Sequence, residues 1–248
     1  MTIEINFKRE LAGKVGIELE GAAVYPVTKR ELAIVDRNMI ENLSCSRLTV
    51  TPEASAMQLE IKTEPAFFYE ATRDLSVKMV ALRDRLHANY SLNWAVKALA
   101  SDSAPLDFYP DEPRYRHIFA GIDLELRRFV MSAMALHIHL GCTNKSSAIR
   151  VYNMLVQDID TFIRRDYGPR LGQYIKMVPH ALPRRYNSWS DFEKDAEERG
   201  FKDNTSNNHS LIRITKHGTV ELRMFNASDN LEKLNKLLAY LKRFTVWV

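Results

Sequence analysis

Apolar and polar residues alternate with period two in several short runs of the chain and recur at helical spacing in several longer ones. The alternating runs predict strands over 14–25, 32–35, 48–51, 57–62, 93–98, 135–141, 211–215 and 219–225. The helical spacing predicts helices over 67–90, 122–131, 147–165, 191–199 and 231–244. Pro65 stands just ahead of the first helix, where the missing N–H costs nothing. Ser190 with Glu193 reads as a capping box for the fourth helix and Gly200 as its stop, while Asp229 or Asn230 caps the last. Lys216-His217-Gly218 is a short turn between two alternating runs, which makes 209–225 a hairpin. Strands fall in adjacent groups with long helices between the groups. That order predicts an α+β fold: a largely antiparallel sheet with helices packed on one face. The Leu, Val, Met and Ile stripes of 67–90 and 147–165 are the core side of those helices.

Four strands divide their residues in the same way. Side chains at i and i+2 of a strand share a face. Val15, Ile17 and Leu19 therefore oppose Glu18 and Glu20, and Leu59 and Ile61 oppose Gln58, Glu60 and Lys62. Leu136, Ile138 and Leu140 oppose His137 and His139, and Val220, Leu222 and Met224 oppose Thr219, Glu221 and Arg223. A face that is merely wet would favour Thr, Ser, Lys and mixed charge. Carboxylates brought together on one sheet raise one another's pKa unless cations neutralise them. Oxygen ligands with an imidazole suit Mg²⁺ or Mn²⁺. Glu53 precedes Glu60 by an odd separation, which on a continuous strand is the wrong face; Pro52 and the small residues 54–56 break the strand there and let Glu53 reach back from a turn.

Composition narrows the picture a little. The chain has 248 residues, 46% hydrophobic and 27% charged, enough to bury a sizeable core. Its net charge of +4 is spread along the chain rather than clustered, which gives no support to nucleic-acid binding. The two cysteines, Cys45 and Cys142, make neither a disulfide framework nor a zinc site. No apolar leader or membrane-length run stands in the sequence, so a cytoplasmic protein without a membrane partner is the expectation.

Five segments, in this order, carry a resemblance: GIELE at 16–20, the E-x₆-E run ending in QLEIKT at 53–63, Arg114-Tyr115, HIHLG at 137–141 and GTVELRMF at 218–225. Together they resemble the glutamate–cysteine ligase and carboxylate–amine ligase families of the glutamine-synthetase-like superfamily. The resemblance implies one catalytic domain over 1–248, a curved antiparallel sheet with helices behind it, and two or three Mg²⁺ ions on the concave face with ATP as co-substrate. It implies metal roles for Glu18, Glu20, Glu60, His137 and Glu221, with Glu53 as a further ligand or a contact to the substrate amine, and it sets Arg223 on the transferred phosphate. The reaction it implies joins a carboxylate substrate to an amine substrate, as a peptide or isopeptide bond, through an acyl-phosphate. The chain departs from the family in length, being nearer the compact phage-encoded carboxylate–amine ligases and amidoligases. Ala135-Leu136 stands where a glycine often precedes the first histidine, and the residues that select glutamate or cysteine have no match. Homo-oligomerisation is left open.

Smaller signals add contacts. His139 shares a face with His137 and reads as a phosphate or substrate contact, with a second-ligand role as the alternative. Arg114 and Arg116, in the proline-flanked loop DEPRYRH, and Lys62 are further candidates for ATP or substrate; Lys62 can instead pair with Glu60 or Glu64. Segment 179–190 is either a lid or a surface connection, and 207–210 leads into the last hairpin close to the polar face. Two other functions fit the same residues. One is a kinase for a nitrogen acceptor on this fold. The other is a metal-dependent hydrolase with an H-x-H strand, although the glutamate usual three or four residues beyond is absent from 142–145. A non-catalytic nucleotide or metal binder has no reason to keep mutually repelling carboxylates.

Overall fold

The computed structural model describes residues 3–166 and 168–245, without the side chains of residues 114, 117 and 118. Its strands are β1 (Val15–Val24), β2 (Val50–Pro52), β3 (Gln58–Lys62), β4 (Asn93–Ala95), β5 (Ala135–Gly141), β6 (Ile212–Ile214) and β7 (Thr219–Asn226). They form one sheet in the order β2-β3-β1-β5-β7-β6, with every pairing antiparallel. β4 pairs with β1 beyond the end of β5, through Ala22–Ala95 and Val24–Asn93. The fold is the α+β arrangement that the alternating runs predict.

Register decides which side chains meet. Ile17 lies opposite Ile138, and Ile138 opposite Leu222, and all three are at most 1% exposed. Burying each such aliphatic side chain contributes about 1.5–3 kcal/mol. A slip of one residue would exchange this face with the polar one. The aliphatic face packs against α2 (Phe68–Tyr90), α5 (Lys145–Gln157), α6 (Ile159–Asp166) and α9 (Leu231–Thr245) through one continuous core.

The β5–β7 ladder carries a bulge. Leu136 pairs with Phe225 but Ile138 pairs with Leu222, so β7 spends one residue more than β5 over this step. Strict alternation would leave Phe225 on the face of Arg223. The extra residue returns it to the core, where its ring lies 6.1 Å from Phe162 at 85°.

Several local expectations change. Segment 32–35 makes no strand; Glu31 bridges Val24, and the Val35 amide donates to the Ala56 carbonyl as the chain crosses into α1 (Arg37–Leu43). The helix expected over 147–165 is broken at Asp158, whose carboxylate accepts from the Tyr240 hydroxyl and from Arg243. The proline-flanked loop folds as α3 (Pro113–Ile118), Pro113 opening the helix, ahead of α4 (Leu124–Ser132). An unforeseen helix, α7 (Pro169–Met177), begins at another proline. α8 (Trp189–Glu198) is capped by Ser188, whose hydroxyl accepts the Asp191 amide at 3.2 Å, rather than by Ser190. Asn230 caps α9 through the Lys233 amide, and Asp229 pairs with Arg83. Segment 179–190 is docked: Tyr186 is buried, stacks on Tyr152 at 4.9 Å and donates to Asp195 at 2.7 Å, so it forms a packed connection. Both cysteines are free, and no helix among the described residues is long and apolar enough to cross a membrane.

Candidate active site

The ladder sets the polar residues in rows. Glu20 lies directly opposite Glu60. Glu18 lies between Lys62 on β3 and His137 on β5. His139 lies between Gly16 and Glu221, and Glu221 faces Arg213 on β6. Because backbone hydrogen bonds fix these neighbours, the side chains converge without any long loop to order. Glu53 enters from the turn after β2, as Pro52 allows, and brings an oxygen to Glu20 and Glu60.

Three overlapping groups of donor atoms result, each with its atoms within 4.8 Å of one another: Glu20, Glu53 and Glu60; Glu18, Glu60 and His137; Glu18, His139 and Glu221. Glu60 is common to the first two and Glu18 to the last two. The site thus gathers all the acids and both histidines singled out in the sequence. His139, read mainly as a substrate contact, also stands as a candidate ligand.

Burial and charge divide the cluster. Burial, and then a carboxylate neighbour, pushes Glu20, Glu53 and Glu60 each up to about 8. Glu20 accepts the Ala135 amide at 2.7 Å; Glu60 accepts from Thr51 at 3.1 Å and pairs with Lys62 at 2.7 Å. These contacts do not offset the repulsion. At the other end, burial would also raise Glu18, but the imidazoles of His137 and His139, at 3.4 and 3.5 Å, hold it well below the usual carboxylate range. Burial would raise Glu221 too, and Arg223 and Arg213 overcome it, at 2.6 and 2.5 Å. Burial and then Arg223 lower His137 to about 4, so its imidazole is neutral and free to coordinate. The Nδ1 atom of His139 meets the Thr219 hydroxyl at 3.0 Å; its Nε2 is buried with no hydrogen-bond partner and lies 3.5 Å from Glu18.

A cavity of about 290 Å³ opens beside this second end. Lys8, Lys14, Lys62 and His217 line it with Glu18 and His139, and Gly16 leaves room opposite His139. Lys62 reaches Glu18 at 3.0 Å as well as Glu60. Arg116 lies exposed on α3, with Arg114 on the same helix.

Two residues were missed. Arg213 lies between Ile212 and Ile214, the same alternation that marks the other strands, and the carbonyls of Ser206 and Asn208 hold its Nη1 at 3.0 and 3.2 Å. Arg170, from α7, is 3% exposed and donates to the carbonyls of Arg223, Met224 and Phe225.

Comparison with known proteins agrees with the sequence motifs. A Corynebacterium glutamicum protein assigned as a glutamate–cysteine ligase 2 is 23% identical over 264 residues, which cover 95% of this chain and 67% of the relative. A Corynebacterium efficiens protein assigned as a glutamate–cysteine ligase 2-1 is 22% identical over 260 residues, with the same coverage. The solved bifunctional glutathione synthetase of Pasteurella multocida matches with a TM-score of 0.61 at 13% identity, over 96% of this chain. The glutamate–cysteine ligase of Francisella tularensis, solved in complex with AMP, matches with a TM-score of 0.58 at 12% identity, over 97% of this chain and 71% of that one. This chain spans only 38% of the Pasteurella enzyme. No family model matches. The resemblance to glutamate–cysteine and carboxylate–amine ligases is borne out, and the fold is shared with these ligase structures.

Proposed function

We propose that this chain is the catalytic domain of an ATP-dependent carboxylate–amine ligase that makes an amide bond through an acyl-phosphate. The observation that carries the proposal is the row of three overlapping carboxylate and imidazole groups on one sheet face, bounded by Arg213 and Arg223 and opening on a cationic cavity. The donors fit hard divalent cations: they are mostly carboxylate oxygens, three of them cannot all ionise unaided, and His139 keeps a buried nitrogen without a partner. Glu18, Glu20, Glu60, His137 and Glu221 would hold Mg²⁺ or Mn²⁺, and the bound ions would offset the repulsion between ATP and the carboxylate substrate.

The chain's own groups then have distinct tasks. Lys62 and the lysines of the cavity attract the phosphate tail of ATP. Arg223 stabilises charge on the phosphoryl group as the substrate carboxylate attacks the γ-phosphorus and ADP leaves. Glu53, half-buried at the opposite end, holds the acceptor ammonium and takes its proton, so that the neutral amine attacks the acyl carbon and inorganic phosphate departs.

The test follows ADP, inorganic phosphate and amide over a panel of carboxylates and amines. All three products should appear together and require Mg²⁺ or Mn²⁺. Glu18→Gln and Arg223→Ala should each lower the rate by roughly 10²–10⁴. Turnover like the unmodified protein in both variants rules the mechanism out, and a phosphorylated nitrogen without inorganic phosphate assigns the chain to a kinase.

A further inference from the structure

We infer that Arg170 is a positioning residue for Arg223, holding open the bulge from which Arg223 is aimed; its kinetic consequence rests on the ligase proposal, its structural one does not. At the bulge β7 takes three steps, Leu222 to Phe225, while β5 takes two, Ile138 to Leu136. A bulge interrupts the ladder and leaves backbone groups without a facing partner, and buried carbonyls need donors. Arg170 supplies them. Its Nη2 donates to the Arg223 carbonyl at 3.2 Å and its Nη1 to those of Met224 and Phe225, each at 3.3 Å. One guanidinium thus covers three consecutive carbonyls from two nitrogens held in a fixed plane, a spread that the single nitrogen of an ammonium does not reproduce.

The neighbouring residues complete a clasp. Asp166 accepts the Asn226 amide at 2.5 Å through its carboxylate, and its carbonyl accepts from the Asn226 side chain at 3.0 Å. The end of α6 and the start of α7 together therefore grip 223–226. Among the described residues Arg170 forms no ion pair, although it is 3% exposed. A buried cation is costly, and here burial disfavours its charge while Glu20 and Asp166 favour it only from beyond ion-pair distance, so as an ordinary packing residue this position would be better filled by an aliphatic side chain. Its contacts point to backbone geometry. They hold the stretch from which Arg223 pairs with Glu221 at 2.6 Å and keeps a buried Nε without a partner.

The experiment uses the full chain with Arg170→Met, Arg170→Lys and Arg223→Lys, all checked for a folded melting transition. The Nε–H resonance of Arg223, assigned by its loss in Arg223→Lys, should be sharp in the unmodified protein. It should broaden or shift in Arg170→Met and take an intermediate form in Arg170→Lys, since lysine keeps the charge but not the fork. An unchanged Arg223 resonance in either folded Arg170 variant overturns the inference, whatever the chain catalyses. Where ligation is observed, Arg170→Met should lower kcat roughly tenfold or more with KM for Mg·ATP held within about threefold, and the double variant with Arg223→Ala should be no slower than Arg223→Ala alone. Additive losses in that cycle also overturn it. Absence of ADP release from any substrate pair defeats the ligase proposal and leaves the resonance to decide the role of Arg170.

Discussion

The two ends of the carboxylate row contain the same functional group in opposite states. At the β3 end, Glu20, Glu53 and Glu60 face one another and are pushed up to about 8. At the β7 end, Glu18 is half-buried and Glu221 fully buried, yet imidazoles and arginines hold them ionised. Burial alone does not set the charge of a carboxylate; what faces it does. One end is matched by its own counter-charges, and at the other the single Lys62–Glu60 pair leaves the carboxylates raised.

Removing one acid from each end is the strongest way to break this comparison. Glu221→Gln strands Arg213 and Arg223 in a buried space with no counter-charge, and should cost about 3–5 kcal/mol in chemical denaturation. Glu53→Gln removes a source of repulsion from Glu20 and Glu60 and should leave the metal-free protein as stable or more so. Equal destabilisation by the two substitutions would show that the ends are alike.

A pH series sharpens the contrast with a smaller effect. Glu20, Glu53 and Glu60 bind protons more tightly in the folded chain than their ordinary 4.5, so stability falls as pH rises from about 4.5 to about 8. His137, lowered from 6.5 to about 4, acts oppositely, but only below about 6.5. Burial opposes the charged form of His139, yet Glu221 and Glu18 raise it, which adds to the loss above that point. Metal-free protein should therefore melt at a lower temperature at pH 8 than at pH 6.5. Mg²⁺ should raise the melting temperature more at pH 8, where protons compete less. A Mg²⁺ shift that is the same at both pH values would mean that the acids are already ionised.

The smallest effect belongs to Lys62, which bridges the ends and is 44% exposed. Its charge is partly screened by water, and it competes with cations for Glu18 and Glu60. Lys62→Met should tighten Mg²⁺ binding, by less than tenfold in calorimetry, while weakening Mg·ATP.

Much of this arrangement was legible because β1, β3, β5 and β7 each bury one face and charge the other; alternation then states both the strand and the residues on its polar side. Glu53 was legible only through Pro52, which breaks the strand before it. Arg213 carries the same alternating sign, but three residues are too few to separate it from a surface hairpin. Arg170 left no sign at all: no helix was expected over 169–177, and only the approach of α7 to β7 shows that this arginine is buried. The break at Asp158 was hidden for a related reason, since partners on α9, Tyr240 and Arg243, hold the carboxylate at that point.

Glu18 and Glu60 each belong to two of the three donor groups. On the proposed metal reading, a cation at one position would draw a shared oxygen into place for its neighbour, so occupancy of the row should climb more steeply than independent sites would allow. Loss of a shared acid should empty two positions at once, whereas loss of Glu20 or His139 should empty one.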